Sequence, residues 1–260
     1  MKPARQKLRK FMLLLSFSFF PVTILYLSPG PPVMSLKAGV INLSVVVVLS
    51  IFVSGFIFRR AFCGWICPGG GCQLVAEAIN NNRLRRKRTD WIRITLISVW
   101  ILMMLGTVIF RAGLPEVDLG HPGAGKFARS TIRFFLPYIP TVIFMILFVY
   151  LYGRRGFCHR GCWIYPLIAS STKIGTIIHN PSLHVRVSDN GQCNECGLCT
   201  KKCTMSIDVR SYVLENKPLP NHCIQCGLCV DNCRQDVLTF AFGMIGARSK
   251  EKANLKTTTS

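Results

Sequence analysis

The sequence predicts an all-α four-helix transmembrane bundle followed by a small α+β domain that cysteines hold together. Three observations carry that expectation. Half of the 260 residues are apolar and the mean hydropathy is +0.36, yet the formal net charge is +21. A soluble globular chain rarely combines these features, whereas apolar spans joined by basic loops do. The apolar residues gather in four runs upstream of residue 185. Downstream of it lie eight of the thirteen cysteines, in two copies of one spacing.

The four runs are Phe11 to Leu27, Ala38 to Phe58, Trp91 to Phe110 and Phe134 to Tyr152. A helix needs about 20 mostly apolar residues to cross the hydrocarbon core, with a lower limit of about 17, so the first run is the shortest that fits. Residues 1 to 27 also have the order of a signal peptide, basic and then apolar. The apolar run is long for that role, and Leu27-Ser-Pro-Gly-Pro-Pro offers no small-x-small cleavage site. An uncleaved span is the expectation.

Lys and Arg set the expected orientation. Lys2, Arg5, Lys7, Arg9 and Lys10 precede the first run. Arg59, Arg60, Arg83, Arg85, Arg86, Lys87 and Arg88 follow the second, and Arg154, Arg155 and Arg160 follow the fourth. Only Lys37 follows the first run, and Arg111, Lys126, Arg129 and Arg133 after the third are partly offset by Glu116 and Asp118. The expected location is the inner (cytoplasmic) membrane, multi-pass, with membrane lipid as a partner. Both termini and every cysteine then face the cytoplasm, where thiols stay reduced. The expected organisation is a membrane domain over 1–153 with a basic loop at 59–90, a cysteine-bearing connector over 154–184, the cysteine-rich domain over 185–246 and a disordered tail over 247–260. Basic clusters also occur in nucleic-acid binders, but here they flank the apolar runs and no recognition element accompanies them.

The repeated cysteine spacing is the most specific signal. Cys193, Cys196, Cys199 and Cys203 form one C-x2-C-x2-C-x3-C run, and Cys223, Cys226, Cys229 and Cys233 the other. This run holds a [4Fe–4S] cubane, three thiolates from one copy and the fourth from the other. The expected ligand sets are therefore Cys193, Cys196, Cys199 and Cys233 for one cluster, and Cys223, Cys226, Cys229 and Cys203 for the second. The α+β domain is thus expected to be ferredoxin-like and to carry two [4Fe–4S] clusters. Apolar residues after each copy, Ile207 and Val209, then Val237, Leu238 and Phe240, suit short strands over the clusters. Structural zinc prefers two separated cysteine pairs, and disulfides need an oxidising compartment.

The upstream half is duplicated too. Arg59-Arg60-Ala-Phe-Cys63-Gly-Trp-Ile-Cys67-Pro68 follows the second run, and Arg154-Arg155-Gly-Phe-Cys158-His-Arg-Gly-Cys162 follows the fourth. A parallel repeat would bring Cys63, Cys67, Cys158 and Cys162 into one four-thiolate site. The residues leave its occupant open: a third iron–sulfur cluster, copper(I) or zinc, a redox-active dithiol pair, or packing alone. Cys72 is either a spare ligand or a plain buried thiol. The arginines read as interfacial anchors, with quinone carbonyls or a partner's carboxylates as alternative contacts. His159 and His222 adjoin cysteines and are candidates for tuning a centre or carrying a proton.

Several chemistries are missing. None of the four runs contains His, Asp or Glu, so no embedded bis-histidine haem or carboxylate relay is expected. There is no C-x-x-C-H, G-x-G-x-x-G or P-loop.

In the order of its parts the chain resembles the NapH/NosR/MauN-type membrane iron–sulfur proteins, ferredoxin-type quinol dehydrogenase components. That resemblance implies electron transfer from quinol through iron–sulfur clusters to a partner redox protein. A related branch that resembles copper-reducing assembly factors implies metal reduction at the upstream cysteines instead. A tethered ferredoxin that never meets quinone is the third reading. The second Cys-x3-Cys here is followed by Trp163 rather than proline, and the ferredoxin runs end Cys203-Thr204 and Cys233-Arg234. Arg234 beside a ligand favours the reduced cluster and so raises its potential.

Overall fold

A computed structural model describes residues 3–84, 90–109, 116–117, 138–188 and 192–245. Arg85, Arg86, Lys87, Arg88, most of the loop after the third apolar run and the expected tail at 247–260 lie outside the described residues. In chain order the elements are α1 (Pro3–Ser18), α2 (Phe20–Leu27), α3 (Gly30–Ala38), β1 (Val40–Ile41), α4 (Leu43–Phe58), α5 (Ala61–Trp65), α6 (Pro68–Ala76) and α7 (Asp90–Ile109). There follow β2 (Glu116–Val117), α8 (Tyr138–Tyr152), α9 (Gly156–Arg160), α10 (Ile164–Ile177), β3 (Ser182–Val187), α11 (Leu198–Lys201), α12 (Val209–Leu214), α13 (Leu228–Asp231) and β4 (Leu238–Gly243).

The expected four-helix transmembrane bundle is not what the chain builds. Among the described residues no helix is long and apolar enough to cross a membrane. The expectation of a multi-pass inner-membrane protein with cytoplasmic termini falls with it. The physical reason lies in how the apolar runs are interrupted. Pro21 sits at the start of α2 and the first run breaks at Phe19. Helix α4 has 16 residues and α8 has 15, about 24 Å at about 1.5 Å per residue, against a hydrocarbon core of about 30 Å. Arg59 (φ 54) ends α4, and Gly153 (φ +85) ends α8. Helix α7 has 20 residues, but Asp90 and Arg93 in its first turn leave an uncharged stretch of only 16, Ile94 to Ile109. The apolarity is nonetheless displayed, because Phe11, Leu49, Val53, Ile143 and Tyr150 are exposed.

Two close helix contacts position the site. The Asn42 side chain accepts a hydrogen bond from the Val45 amide and starts α4, as an N-cap does. Its buried residues Ser44, Val48, Ile51 and Gly55 recur at helical spacing on one face. That face meets α10 so closely that a side chain at Gly55 would overlap the Ser171 hydroxyl at 1.9 Å. Helix α6 opens Pro68-Gly69-Gly70-Gly71, and each of the three glycines disfavours helix by roughly 1 kcal/mol. Packing explains them: a Cβ at Gly71 would lie 2.2 Å from the Leu13 carbonyl of α1.

In the cysteine-rich half, β3 and β4 pair antiparallel, from Ser182 opposite Gly243 to Val187 opposite Leu238. Leu238 and Phe240 are thus strand residues, as expected, but Ile207, Val209 and Val237 are not. Val209 opens α12, because Asp208 and Thr200 cap the turn: the Thr200 hydroxyl donates to Asp208 and accepts from the Arg210 amide at 2.8 Å. One apolar core joins the two halves, with Ile51, Ile164 and Ile168 packed in the same cluster as Val185, Ile224 and Leu238. The second sheet is a two-residue parallel pairing of β1 with β2.

Candidate metal centres

The two C-x2-C-x2-C-x3-C loops adopt the same local path. Glu195 and Gln225 are left-handed (φ 53 and 52), then Gly197 and Gly227 are left-handed again (φ +67 and +75). A one-turn helix follows each, α11 and α13. Successive left-handed residues curl the backbone around a small volume, and glycine takes that conformation at no steric cost.

The structure gathers the cysteines into two sets. Cys193, Cys196, Cys199 and Cys233 line one cavity of about 30 Å³. Cys203, Cys223, Cys226 and Cys229 line a second of about 10 Å³. Each cavity thus takes three thiols from one copy and the fourth from the other. The first lies at the surface, with Cys196 exposed, while Cys203, Cys226 and Cys229 of the second are buried. Burial, with like charges close by, pushes the Cys203 thiol up to about 12 and the Cys223 thiol up to about 11, so a soft metal must displace protons to bind there. Arg234 is exposed on the rim of the first cavity.

The upstream cysteines converge as well. Cys67 and Cys162 line one apolar cavity of about 160 Å³ between α2, α6, α8 and α10, with Phe20, Met145 and Trp163 among its walls. Cys63 and Cys158 are buried and do not line it. Burial raises all of Cys63, Cys67 and Cys162, and each is raised further by thiolates of the same group; Cys67 reaches about 12. Gln73, itself fully buried, donates to Cys158 Sγ at 2.9 Å and accepts from the Cys158 amide. Cys72 is buried among Phe20, Ile24 and Met145, and burial, with Cys158 close by, lifts its thiol to about 11.

The paired arginines are not the surface anchors that the sequence suggested. Arg59, Arg60 and Arg155 are buried. Arg60 Nη1 donates to the His222 carbonyl at 2.8 Å, and its guanidinium stacks on Tyr165 at 4.4 Å. Arg59 Nη2 donates to Asn221 Oδ1 at 2.5 Å. Arg155 has no exposed surface, and its Nε lies 3.6 Å from Glu77. Burial works against its charge, but Cys158, Glu77 and Cys226 more than offset that.

The upstream centre abuts the buried ferredoxin cavity. A Cβ on Gly64, in the turn that carries Cys63, would lie 2.3 Å from the Ile224 carbonyl and 3.6 Å from the Cys226 amide. Trp65 Nε1 donates to the Gln225 carbonyl at 3.0 Å. Helix α1 closes the other side: Arg5 pairs with Asp231, and Gln6 donates to the Cys226 carbonyl at 3.0 Å. Sequence reasoning missed this role of α1, as well as Gln73 and the glycine run. The run Gly69-Gly70-Gly71, improbable in an exposed helix, was the available signal.

Among the described residues no three Cys, His, Asp or Glu side chains are placed to hold one metal ion. This holds for the ferredoxin cysteines too. The ligands of a cubane stand around a cage of four irons, and so further apart than the ligands of one ion.

Two family matches identify the chemistry. The 4Fe-4S binding domain family matches residues 40–88, and the 4Fe-4S dicluster domain family matches residues 192–238. No curated protein and no solved structure matches the chain. The chain is an iron–sulfur protein; the two matches fit two [4Fe–4S] clusters and iron–sulfur electron transfer.

Proposed function

We propose that the chain takes electrons from a hydroquinone and passes them singly to a partner redox protein. The observation that carries this reading is the apolar cavity of about 160 Å³ beside Cys67 and Cys162. An apolar cavity of roughly 150 Å³ admits a benzene-sized ring. Phe20, Phe157 and Trp163 supply aromatic wall, and Ser28 and Thr141 are the hydroxyl-bearing residues that would meet the ring oxygens.

In this reading Cys193, Cys196, Cys199 and Cys233 hold one cubane, and Cys203, Cys223, Cys226 and Cys229 the other. When bound, each cubane takes up and releases one electron at a time. The hydroquinone loses two electrons and two protons and leaves as the quinone. The acceptor gains the two electrons in separate steps, and the protons pass to water. Dry apolar walls hold the ring against the cysteine pair, and the Gly64–Ile224 contact sets the turn of Cys63 against the buried ferredoxin loop. The acceptor docks at the exposed loop of Cys196. There Lys201, Lys202 and Arg234 are exposed and favour an acidic partner face, while Arg210 is paired with Glu195.

Filling the cavity tests the reading. Ile24→Trp should abolish cluster reduction by a short-chain hydroquinone while leaving reduction by dithionite intact. Equal reduction of the variant and the native chain by hydroquinone would place the donor elsewhere.

A further inference from the structure

The matched dicluster stretch contains eight cysteines, and those eight line two cavities. That leaves the second match, residues 40–88, with only three cysteines of its own: Cys63, Cys67 and Cys72. Cys72 packs with Phe20, Ile24 and Met145 but does not line the cavity that Cys67 and Cys162 share, and of the four other upstream thiols Cys158 alone bears on it. A four-thiolate centre in this stretch therefore needs ligands from outside it, and α9 and its following turn supply two. Cys158 and Cys162 stand in the electrostatic reach of Cys63 and Cys67.

A second observation points to an anion at this place. Arg155 is completely buried, and none of its three guanidinium nitrogens meets full hydrogen-bond geometry, although the Cys158 thiol faces them; Arg60, 1% exposed, faces the Cys63 thiol in the same way and its Nε is likewise unsatisfied. Burying a guanidinium with unused donors is costly unless a negative group faces it. Glu77, 3.6 Å from Arg155 Nε, supplies one such charge, and the thiolates supply the rest. Gly70 keeps this approach open, because a side chain there would meet Arg155 Nη1 at 2.8 Å and the Cys63 carbonyl at 3.0 Å. A single zinc or copper ion fits poorly, since no three of these thiols are placed around one ion.

We propose that Cys63, Cys67, Cys158 and Cys162 together ligate a third [4Fe–4S] cluster, with Arg155 and Arg60 as positioning residues that compensate its negative charge. The centre is composite, two ligands from each half of the internal repeat. It lies between the apolar cavity and the buried ferredoxin loop. It holds whether or not a hydroquinone is the donor.

The test is metal and sulfide analysis of the anaerobically purified full chain, with paramagnetic resonance after dithionite reduction. The native chain should hold about twelve irons and twelve sulfides, four of each per cubane. Cys158→Ser and Cys162→Ser should each lose about four irons while two cubane signals persist, and Cys72→Ser should lose none. Arg155→Gln should lower the midpoint potential of one centre alone, and Arg155→Lys should restore most of it. Should the cysteine variants fail to fold, the native iron count and the Arg155→Gln potentials still decide. About eight irons in the native chain, or zinc or copper in place of the additional four irons, would overturn the proposal. So would potentials indifferent to Arg155. None of these readouts uses hydroquinone, so its failure as a donor is told apart from the absence of the cluster.

Discussion

Gly197 and Gly227 occupy equivalent left-handed positions, yet their surroundings differ. A Cβ at Gly197 meets nothing within 4 Å, whereas one at Gly227 comes within 3.0 Å of the Phe240 ring. Alanine at either position pays roughly 1–2 kcal/mol for the left-handed backbone. Gly227→Ala pays the displacement of Phe240 in addition, so it should melt below Gly197→Ala in a thermal scan of the loaded protein. Equal melting would mean that Phe240 swings away freely. At the same scale, Cys226→Ser should remove one cubane and about four irons, because a cubane needs each of its four thiolates; full iron retention would refute the ligand set. The cysteines were legible in the sequence because their spacing is a local property of the chain. The burial of Arg60 and Arg155 was not, because it depends on Tyr165, Glu77 and the 221–226 loop, which the fold brings from far along the chain.

At the scale of elements, the fold depends on close approach. Helix α6 presents Gly69, Gly70 and Gly71 to Met145, Arg155 and Leu13 respectively. Gly71→Ala must push α1 away from α6, since the obstacle is the Leu13 backbone carbonyl. Overpacking of this kind costs about 1–3 kcal/mol. It should also loosen the Arg5–Asp231 pairing that α1 carries, which hydrogen exchange over residues 226–231 would report. Unchanged protection there would show that α1 docks independently of α6. Helical elements were legible as apolar runs, but their lengths were not. Pro21, Arg59 and Gly153 cut the runs short, and hydropathy averaged along a window does not register where a helix ends. The pairing of β3 with β4 escaped notice for a similar reason: its first strand lies upstream of the cysteines, and Asp208 with Thr200 diverts the expected strand at Ile207 and Val209 into a helix.

At the scale of the whole molecule, one apolar core spans both halves, and the cysteine loops contribute to it. The loops themselves have little regular structure, with one-turn helices and a two-stranded ribbon. Ligand binding to such a site is coupled to folding. Removing iron with a chelator under reducing conditions should therefore unfold residues 182–243, seen as lost protection across β3 and β4. A ribbon that stays protected without iron would show that the shared core suffices. In the proposed function hydroquinone reacts at the apolar cavity and single electrons leave at the exposed loop.

The most direct measurement mixes the oxidised, fully loaded protein anaerobically with a short-chain hydroquinone and counts electrons by visible bleaching and paramagnetic resonance. The account predicts one quinone formed for every two cubanes reduced, and loss of both signals in Ile24→Trp. Clusters that dithionite reduces but hydroquinone leaves oxidised would contradict it.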